Sequence, residues 1–119
     1  MAEETSTETE IAPGRAVELI ESGAAVIDVR RPYEWEAGRI GGAVHIEMNE
    51  LPSEAEAVPR DRPVIFYCRS GSRSALAAAA FREAGWDAYN LDGGLQAWVE
   101  QGHELDPAGG EVAPPQPGY

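Results

Sequence analysis

The fold is decided by residues 64–74, which read Val-Ile-Phe-Tyr-Cys-Arg-Ser-Gly-Ser-Arg-Ser. The first five residues form an unbroken apolar and aromatic run, a pattern typical of a strand that is buried on both faces. The loop that follows leads into an alanine-rich segment, residues 73–84, whose composition favours a helix. The stretch therefore predicts a strand, a short loop and a helix, with Cys68 at the carboxyl end of the strand.

The same alternation of strand and helix extends outward along the chain. The further strand candidates are residues 24–29, 43–46 and 88–91, and the further helix candidates are residues 13–22, 47–58 (interrupted by Pro52) and 95–101. Strands that are separated by helices imply right-handed crossovers between parallel strands. We therefore expect an α/β fold in which helices cover both faces of a mainly parallel sheet.

Length and composition indicate one domain with two tails. A chain of 119 residues is long enough for one buried core, and its 43% hydrophobic content is ordinary for a globular protein. Residues 1–10 are rich in Glu, Thr and Ser, while residues 106–119 are rich in Pro and Gly. We expect both segments to be disordered tails and residues 11–105 to form the domain.

The charge and the cysteine content exclude several classes of function. The net charge is -12, so neither a nucleic acid nor an anionic membrane is expected as a partner, because both are polyanions. No stretch approaches the ~20 apolar residues that span a bilayer, and the acidic beginning is unlike a signal peptide, so we expect a cytoplasmic protein. The single cysteine argues against a disulfide and a structural zinc site. We expect no metal and no cofactor.

The loop after Cys68 has the composition of an anion-binding site. A loop of Ser, Gly and Ser that enters a helix turns successive backbone N–H groups inward, and Arg69 and Arg73 add full positive charges. A thiolate is itself an anion, so these surroundings also stabilise a Cys68 thiolate without a histidine base. The alternative interpretation is that Cys68 is a small buried apolar residue and that the loop is merely solvated.

Acidic residues upstream are candidates for holding this loop in shape. Asp28 and Glu34 are the expected partners of Arg30 or Arg73, because a bidentate pair between arginine and a carboxylate fixes both side chains. The alternative is an ordinary surface ion pair, which contributes little to stability.

Three motifs in this chain resemble the signatures of rhodanese-type domains. They are the loop Cys68-Arg69-Ser70-Gly71-Ser72-Arg73-Ser74, the segment Asp28-Val29-Arg30 with Glu34-Trp35 and Gly38-Arg39-Ile40-Gly41-Gly42-Ala43, and the segment Leu91-Asp92-Gly93-Gly94-Leu95-Gln96-Ala97-Trp98. The motifs follow the family's order and span nearly the whole expected domain. Arg39 departs from the pattern, since the family commonly has His there, and we interpret that position as structural.

The resemblance implies a parallel five-stranded sheet flanked by helices and a sulfurtransferase activity. Cys68 would accept a sulfane sulfur from a donor such as thiosulfate or a persulfide, carry it as a persulfide, and pass it to a thiophilic acceptor. The implied substrate-binding residues are Arg69, Ser70, Gly71, Ser72, Arg73 and Ser74. The implied partners are a small anionic donor, a thiol or cyanide-like acceptor and a sulfur-relay protein.

Two alternative functions fit the same motifs. One is a binding module that carries sulfur to a single partner protein without turnover. The other is a Cys-dependent phosphatase, but related phosphatases have a longer loop than the four residues that separate Cys68 from Arg73. Because loop geometry decides which anion reaches the thiolate, the shorter loop favours sulfur transfer.

Overall fold

The structure, a computed structural model, describes residues 9–115. This part of the chain contains five parallel strands and four α-helices. The strands are β1 (Glu10–Ile11), β2 (Ala25–Asp28), β3 (Val44–His45), β4 (Val64–Tyr67) and β5 (Ala88–Leu91). The helices are α1 (Pro13–Glu21), α2 (Pro32–Ala37), α3 (Ser72–Glu83) and α4 (Gly94–Glu100). This architecture confirms the expected parallel α/β fold. None of these helices is long and apolar enough to cross a membrane.

The central strand of the sheet is β4, in the order β1-β5-β4-β2-β3 with every pair parallel. The register of β2 against β4 runs from Ala25 beside Val64 to Asp28 beside Tyr67. Asp28 and Tyr67 therefore meet at the carboxyl edge of the sheet, directly before Cys68. In open parallel sheets this is the edge at which ligands bind.

The pleat of β4 sends successive side chains to opposite faces of the sheet. Val64, Phe66 and Cys68 belong to an apolar cluster that includes residues of α3. Ile65 and Tyr67 belong to a second cluster, which includes residues of α1 and α4. The side chains of Cys68 and Tyr67 therefore lie on different faces, although the two residues are neighbours in the chain.

The predicted helix over residues 47–58 is wrong. The chain forms two short 3-10 turns there, Met48–Glu50 and Ala55–Ala57. Pro52 lies between them, and proline has no backbone N–H and disfavours helical geometry in the residue before it. Pro52, expected to interrupt a helix, thus prevents an α-helix from forming anywhere in residues 47–58.

The amino-terminal end of the domain also differs from expectation. Composition places Glu10 in the expected acidic tail, but in the structure it lies in β1, which pairs in parallel with β5. A strand of two residues is too short to produce an alternating pattern, so no periodic signal predicts it. The rest of that expected tail, residues 1–8, lies outside the described residues.

The expectation of a disordered tail from residue 106 also needs correction. Arg39 and Asp106 exchange backbone hydrogen bonds of 3.0 and 2.7 Å, and the Glu111 N–H donates to the Ala37 carbonyl at 2.8 Å. A Cβ at Gly38 would lie 2.7 Å from the Glu111 nitrogen, so glycine permits this approach. These backbone contacts hold residues 106–111 against the end of α2, which composition alone does not reveal. Residues 116–119 lie outside the described part of the chain.

A buried ionic network ties the carboxyl ends of β2 and β4 together. The fully buried Asp28 carboxylate accepts hydrogen bonds from the backbone N–H, Nε and Nη2 of Arg30 at 2.7–3.2 Å and from the Tyr67 hydroxyl at 2.7 Å. The Tyr67 oxygen accepts from the Ile40 N–H at 3.0 Å, and Arg30 Nη2 donates to the Gly38 carbonyl at 2.7 Å. The network therefore fixes residues 38–40, which follow α2, against β2 and β4.

The ionisation of the network follows from this geometry. Burial lowers the pKa of Arg30, but the hydrogen bonds and charge of Asp28 outweigh burial and raise the pKa above its ordinary value. Burial and then the charge of Asp28 raise the pKa of Tyr67 well above its usual value of about 10. At neutral pH the network therefore contains a cation, an anion and a neutral phenol.

We expect Tyr67→Phe to lower the free energy of unfolding by about 1–3 kcal/mol, because the buried Asp28 carboxylate loses a donor and the Ile40 N–H loses its acceptor. Urea unfolding followed by circular dichroism at neutral pH measures this loss. Tyr89→Phe removes a hydroxyl from a half-buried tyrosine of β5 and is the matched control. We expect it to lower the free energy of unfolding by about 0.5 kcal/mol. Equal losses in the two variants would contradict the role of the network.

The stabilisation by Tyr67 is also expected to depend on pH. Because the pKa is raised in the folded state, the unfolded chain releases the phenol proton first. The contribution is complete below the unfolded pKa of about 10 and is lost as the pH rises above it. The stability difference between the wild type and Tyr67→Phe should therefore shrink above about pH 10, and a constant difference would speak against a buried neutral phenol.

Candidate active site

Two backbone N–H donors and a serine hydroxyl surround the sulfur of Cys68. The Gly71 N–H lies 3.1 Å from Cys68 Sγ, and the N–H and hydroxyl of Ser74 each lie 3.4 Å from it. Gly71 has a φ of +102°, which a residue with a side chain rarely adopts, and α3 begins at the next residue. The first N–H groups of α3 have no partner within the helix and carry its positive dipole end. This arrangement can stabilise negative charge on the sulfur.

Asn90 supports the cradle from β5, although the sequence analysis did not single it out. Its Nδ2 group donates to the Gly71 carbonyl at 3.1 Å and to Glu10 Oε1 at 2.8 Å, while its Oδ1 atom accepts from the Ser74 hydroxyl. The side chain is buried, and a buried amide is stable only where its polar atoms are paired. The one available signal was a polar residue inside the short apolar strand at residues 88–91.

The amino terminus of α4 holds the Cys68 loop through backbone hydrogen bonds. The N–H groups of Leu95 and Gln96 donate to the carbonyls of Cys68 and Arg69 at 2.9 and 3.0 Å. A Cβ at Gly94 would lie 2.5 Å from the Arg69 carbonyl oxygen, so the two backbones approach to a distance that only glycine allows. The loop carbonyls thus satisfy helix N–H groups that would otherwise lack partners.

Glu34 holds Arg73 in a bidentate ion pair. The Nη1 and Nη2 atoms of Arg73 donate to the two carboxylate oxygens of Glu34, each at 3.1 Å. Glu34 is buried at the start of α2, and its Oε1 atom also accepts from the Arg31 N–H. Burial lowers the pKa of Arg73, but the hydrogen bonds and charge of Glu34 outweigh it and raise the pKa, so Arg73 remains a cation.

A pocket of about 290 Å³ opens beside the loop. Its lining residues are Tyr33, Glu34, Arg69, Ser70, Arg73 and Pro115. Arg69 donates from Nε to the Ala113 carbonyl at 3.1 Å, while Ser70 and Ser72 are exposed. Cys68 itself is fully buried and is not among the residues that line this pocket.

The structure separates the three expected loop-support residues. Glu34 contacts Arg73 directly, as described above, and lines the pocket. Asp28 and Arg30 pair with each other, and Asp28 connects to the loop through Tyr67, the residue before Cys68. Arg39 stacks on Trp35 with its guanidinium 4.5 Å from the ring centroid and donates to the Trp35 carbonyl.

Comparison with known proteins places these features in one family. The model of the rhodanese-like domain matches residues 12–101. The thiosulfate sulfurtransferase GlpE of Pseudomonas aeruginosa (strain LESB58) is 39% identical over 89 residues, which cover 74% of this chain and 81% of that protein. A sulfurtransferase of Allochromatium vinosum is 38% identical over 78 residues, covering 65% and 73% of the two chains.

A solved structure agrees with these relatives. The crystal structure of a rhodanese-related protein from Thermoplasma volcanium superimposes with a TM-score of 0.77 at 30% identity, covering 82% of this chain and 96% of that one. Residues 12–101, which the family model matches, contain β4, the Cys68 loop, Glu34 and the Gly93-Gly94 pair at the start of α4. The chain belongs to the rhodanese-like domain family, whose relatives named here are sulfurtransferases.

Proposed function

We propose that the protein transfers a sulfane sulfur from a donor such as thiosulfate or a persulfide to a thiophilic acceptor, with Cys68 as the nucleophile. The observation that carries this proposal is the convergence of the Gly71 N–H and the Ser74 N–H on Cys68 Sγ, with the Ser74 hydroxyl beside them and held by Asn90. These donors are fixed by the fold before any substrate binds. Preorganised donors of this kind stabilise charge without reorganisation during the reaction.

Transfer takes place in two displacements at sulfur. The Cys68 thiolate attacks the outer sulfur of thiosulfate, a sulfur–sulfur bond forms, and sulfite leaves with the electron pair of the bond that breaks. The persulfide carries a negative charge on its terminal sulfur, which is again an anion that N–H donors stabilise. An acceptor thiolate or cyanide then attacks that sulfur, and Cys68 leaves as a thiolate.

Each loop residue has a role in this reaction. Gly71 and Ser74 supply donors to the sulfur, and Arg73 supplies a fixed positive charge for an anionic donor. Arg69 and Ser70 line the entrance, while Ser72 begins the helix whose amino terminus faces the sulfur. Glu34 is a positioning residue, because it acts by holding the guanidinium of Arg73.

A carrier without turnover and a phosphatase are the alternatives to this activity. A carrier would accept sulfur on Cys68 but release it only to one partner protein, a sulfur-relay protein. A phosphatase would use the thiolate on a phosphate ester, for which the short loop between Cys68 and Arg73 leaves little space. Turnover with thiosulfate and cyanide, without hydrolysis of p-nitrophenyl phosphate, is the result that distinguishes the proposed activity from both.

We expect Cys68→Ser to abolish sulfur transfer while leaving the melting temperature nearly unchanged, because a hydroxyl is almost isosteric but forms no stable persulfide. Mass spectrometry after exposure to thiosulfate should show one added sulfur atom on the wild type, removable by a reductant, and none on the variant. The readout is unambiguous because Cys68 is the single cysteine of the chain. Sulfur transfer by a normally folded Cys68→Ser protein would sink the assignment of the nucleophile.

We expect Arg73→Gln to slow loading by thiosulfate about 10- to 100-fold, because a hydrogen bond to a charged group contributes about 1.5–3 kcal/mol. The substitution removes the positive charge and keeps a polar side chain at this position. The matched electrophiles iodoacetate and iodoacetamide separate charge from access, since only the anion should react much more slowly with the variant.

The control for this experiment is Arg15→Gln, which changes the net charge equally at an exposed position of α1. It should affect neither loading nor alkylation. If Arg73→Gln slowed both electrophiles by the same factor, the positive charge would have no special role in attracting an anionic donor.

A further inference from the structure

The segment after α4 returns to the candidate active site and packs beside it. Asp106 and Glu111 fasten its first part to residues 37–39 through backbone hydrogen bonds. Gly110 allows this contact, since a Cβ there would lie 3.0 Å from the Ala37 carbonyl oxygen and from the Gly38 Cα atom. The path of the chain up to residue 111 is therefore set by backbone contacts with the end of α2.

Residues 113–115, which we call the carboxyl-terminal wall, continue from there to the loop. The Ala113 carbonyl accepts from Arg69 Nε and the Pro114 carbonyl accepts from the Tyr33 hydroxyl, both at 3.1 Å. Ala113 is buried, and Pro115 lines the pocket that Arg69 and Arg73 also line. The wall thus forms one side of the pocket that lies beside the Cys68 loop.

The composition of the wall suits a rigid boundary. Two consecutive prolines have restricted φ angles and lose little conformational entropy on docking. Both prolines lack a backbone N–H group, and two of the three carbonyls of the wall accept hydrogen bonds, one from Arg69 and one from Tyr33. The wall also lies outside residues 12–101, which the family model matches, so it is not part of the shared nucleophile loop.

We propose that the carboxyl-terminal wall determines which acceptors reach the Cys68 persulfide, admitting compact nucleophiles such as cyanide and hindering bulky thiols such as glutathione. The inference rests on the proposed sulfur transfer at Cys68 and adds a specificity element to it. The wall acts by size, because two of its three carbonyls are already paired and Pro115 bounds the pocket of about 290 Å³. A rigid boundary discriminates between acceptors by excluding contacts in the transition state.

The test compares two shortened chains. One ends after Val112 and lacks the wall, and its matched control ends after Pro115 and keeps it. With thiosulfate as donor, the ratio of kcat/KM for glutathione to kcat/KM for cyanide should rise about tenfold in the chain that ends after Val112, and it should be unchanged in the control. An unchanged ratio in a shorter chain that still loads sulfur would overturn the inference but leave the proposed function intact.

Two point variants keep the test decisive if the shorter chain does not fold. Tyr33→Phe removes the hydrogen bond to the Pro114 carbonyl and keeps the aromatic ring, and Pro115→Gly removes the ring that lines the pocket. Both should raise the acceptor ratio in the same direction, with melting temperatures close to that of the wild type. If neither variant changes the ratio, the wall does not select acceptors.

A second readout is independent of sulfur transfer. Alkylation of Cys68 by a bulky maleimide should accelerate relative to alkylation by iodoacetamide when the wall is removed or loosened. If the wild type gains no sulfur from thiosulfate but the alkylation ratio changes as expected, the proposed function fails and the wall still controls access. If sulfur is loaded but both ratios are unchanged, the wall inference fails alone.

Discussion

The carboxylate of Asp28 is fully buried, and a buried charge is stable only where it is paired and hydrogen-bonded. Arg30 and Tyr67 meet this requirement, and each has a second contact that extends the network to residues 38–40. Tyr67 is the last residue of β4, so its fixed side chain sets the position at which the backbone leaves the sheet toward Cys68. The geometry of the Cys68 loop depends on a charge that lies on the opposite face of the sheet.

The pleat of a strand makes this division possible. Because adjacent residues point to opposite faces, Tyr67 anchors the strand end on the side of α1 and α4 while Cys68 points toward α3. Tyr67 of the network and Cys68 are neighbours in the chain, but their side chains occupy different faces of the sheet. A substitution in the network is therefore transmitted to the loop through the backbone, not through side-chain contact.

Backbone groups carry most of the geometry at the loop. Gly71 and Ser74 donate to the sulfur, and α4 donates to the loop carbonyls, so the cradle depends on close approach between main chains. Glu34 offsets part of the charge of Arg73 while fixing its orientation. Charges beyond the screening length of ~8 Å in physiological salt act weakly on the loop, so these short contacts matter more to its electrostatics than the net charge of -12 does.

The sequence by itself determined the elements that depend on local pattern. The unbroken apolar run before Cys68 and the alanine-rich segment after it specified a strand, a loop and a helix, and thereby the place of the cysteine at the carboxyl edge. Residues 47–58 show the limit of such reasoning, because the pattern resembled a helix that Pro52 does not allow. Tertiary structure alone decided that Asp28 pairs with Arg30 and Tyr67, that Asn90 supports the loop, and that residues 106–115 return to the pocket. These features depend on strand register and on close contacts between distant backbones, and neither leaves a periodic signal in the chain.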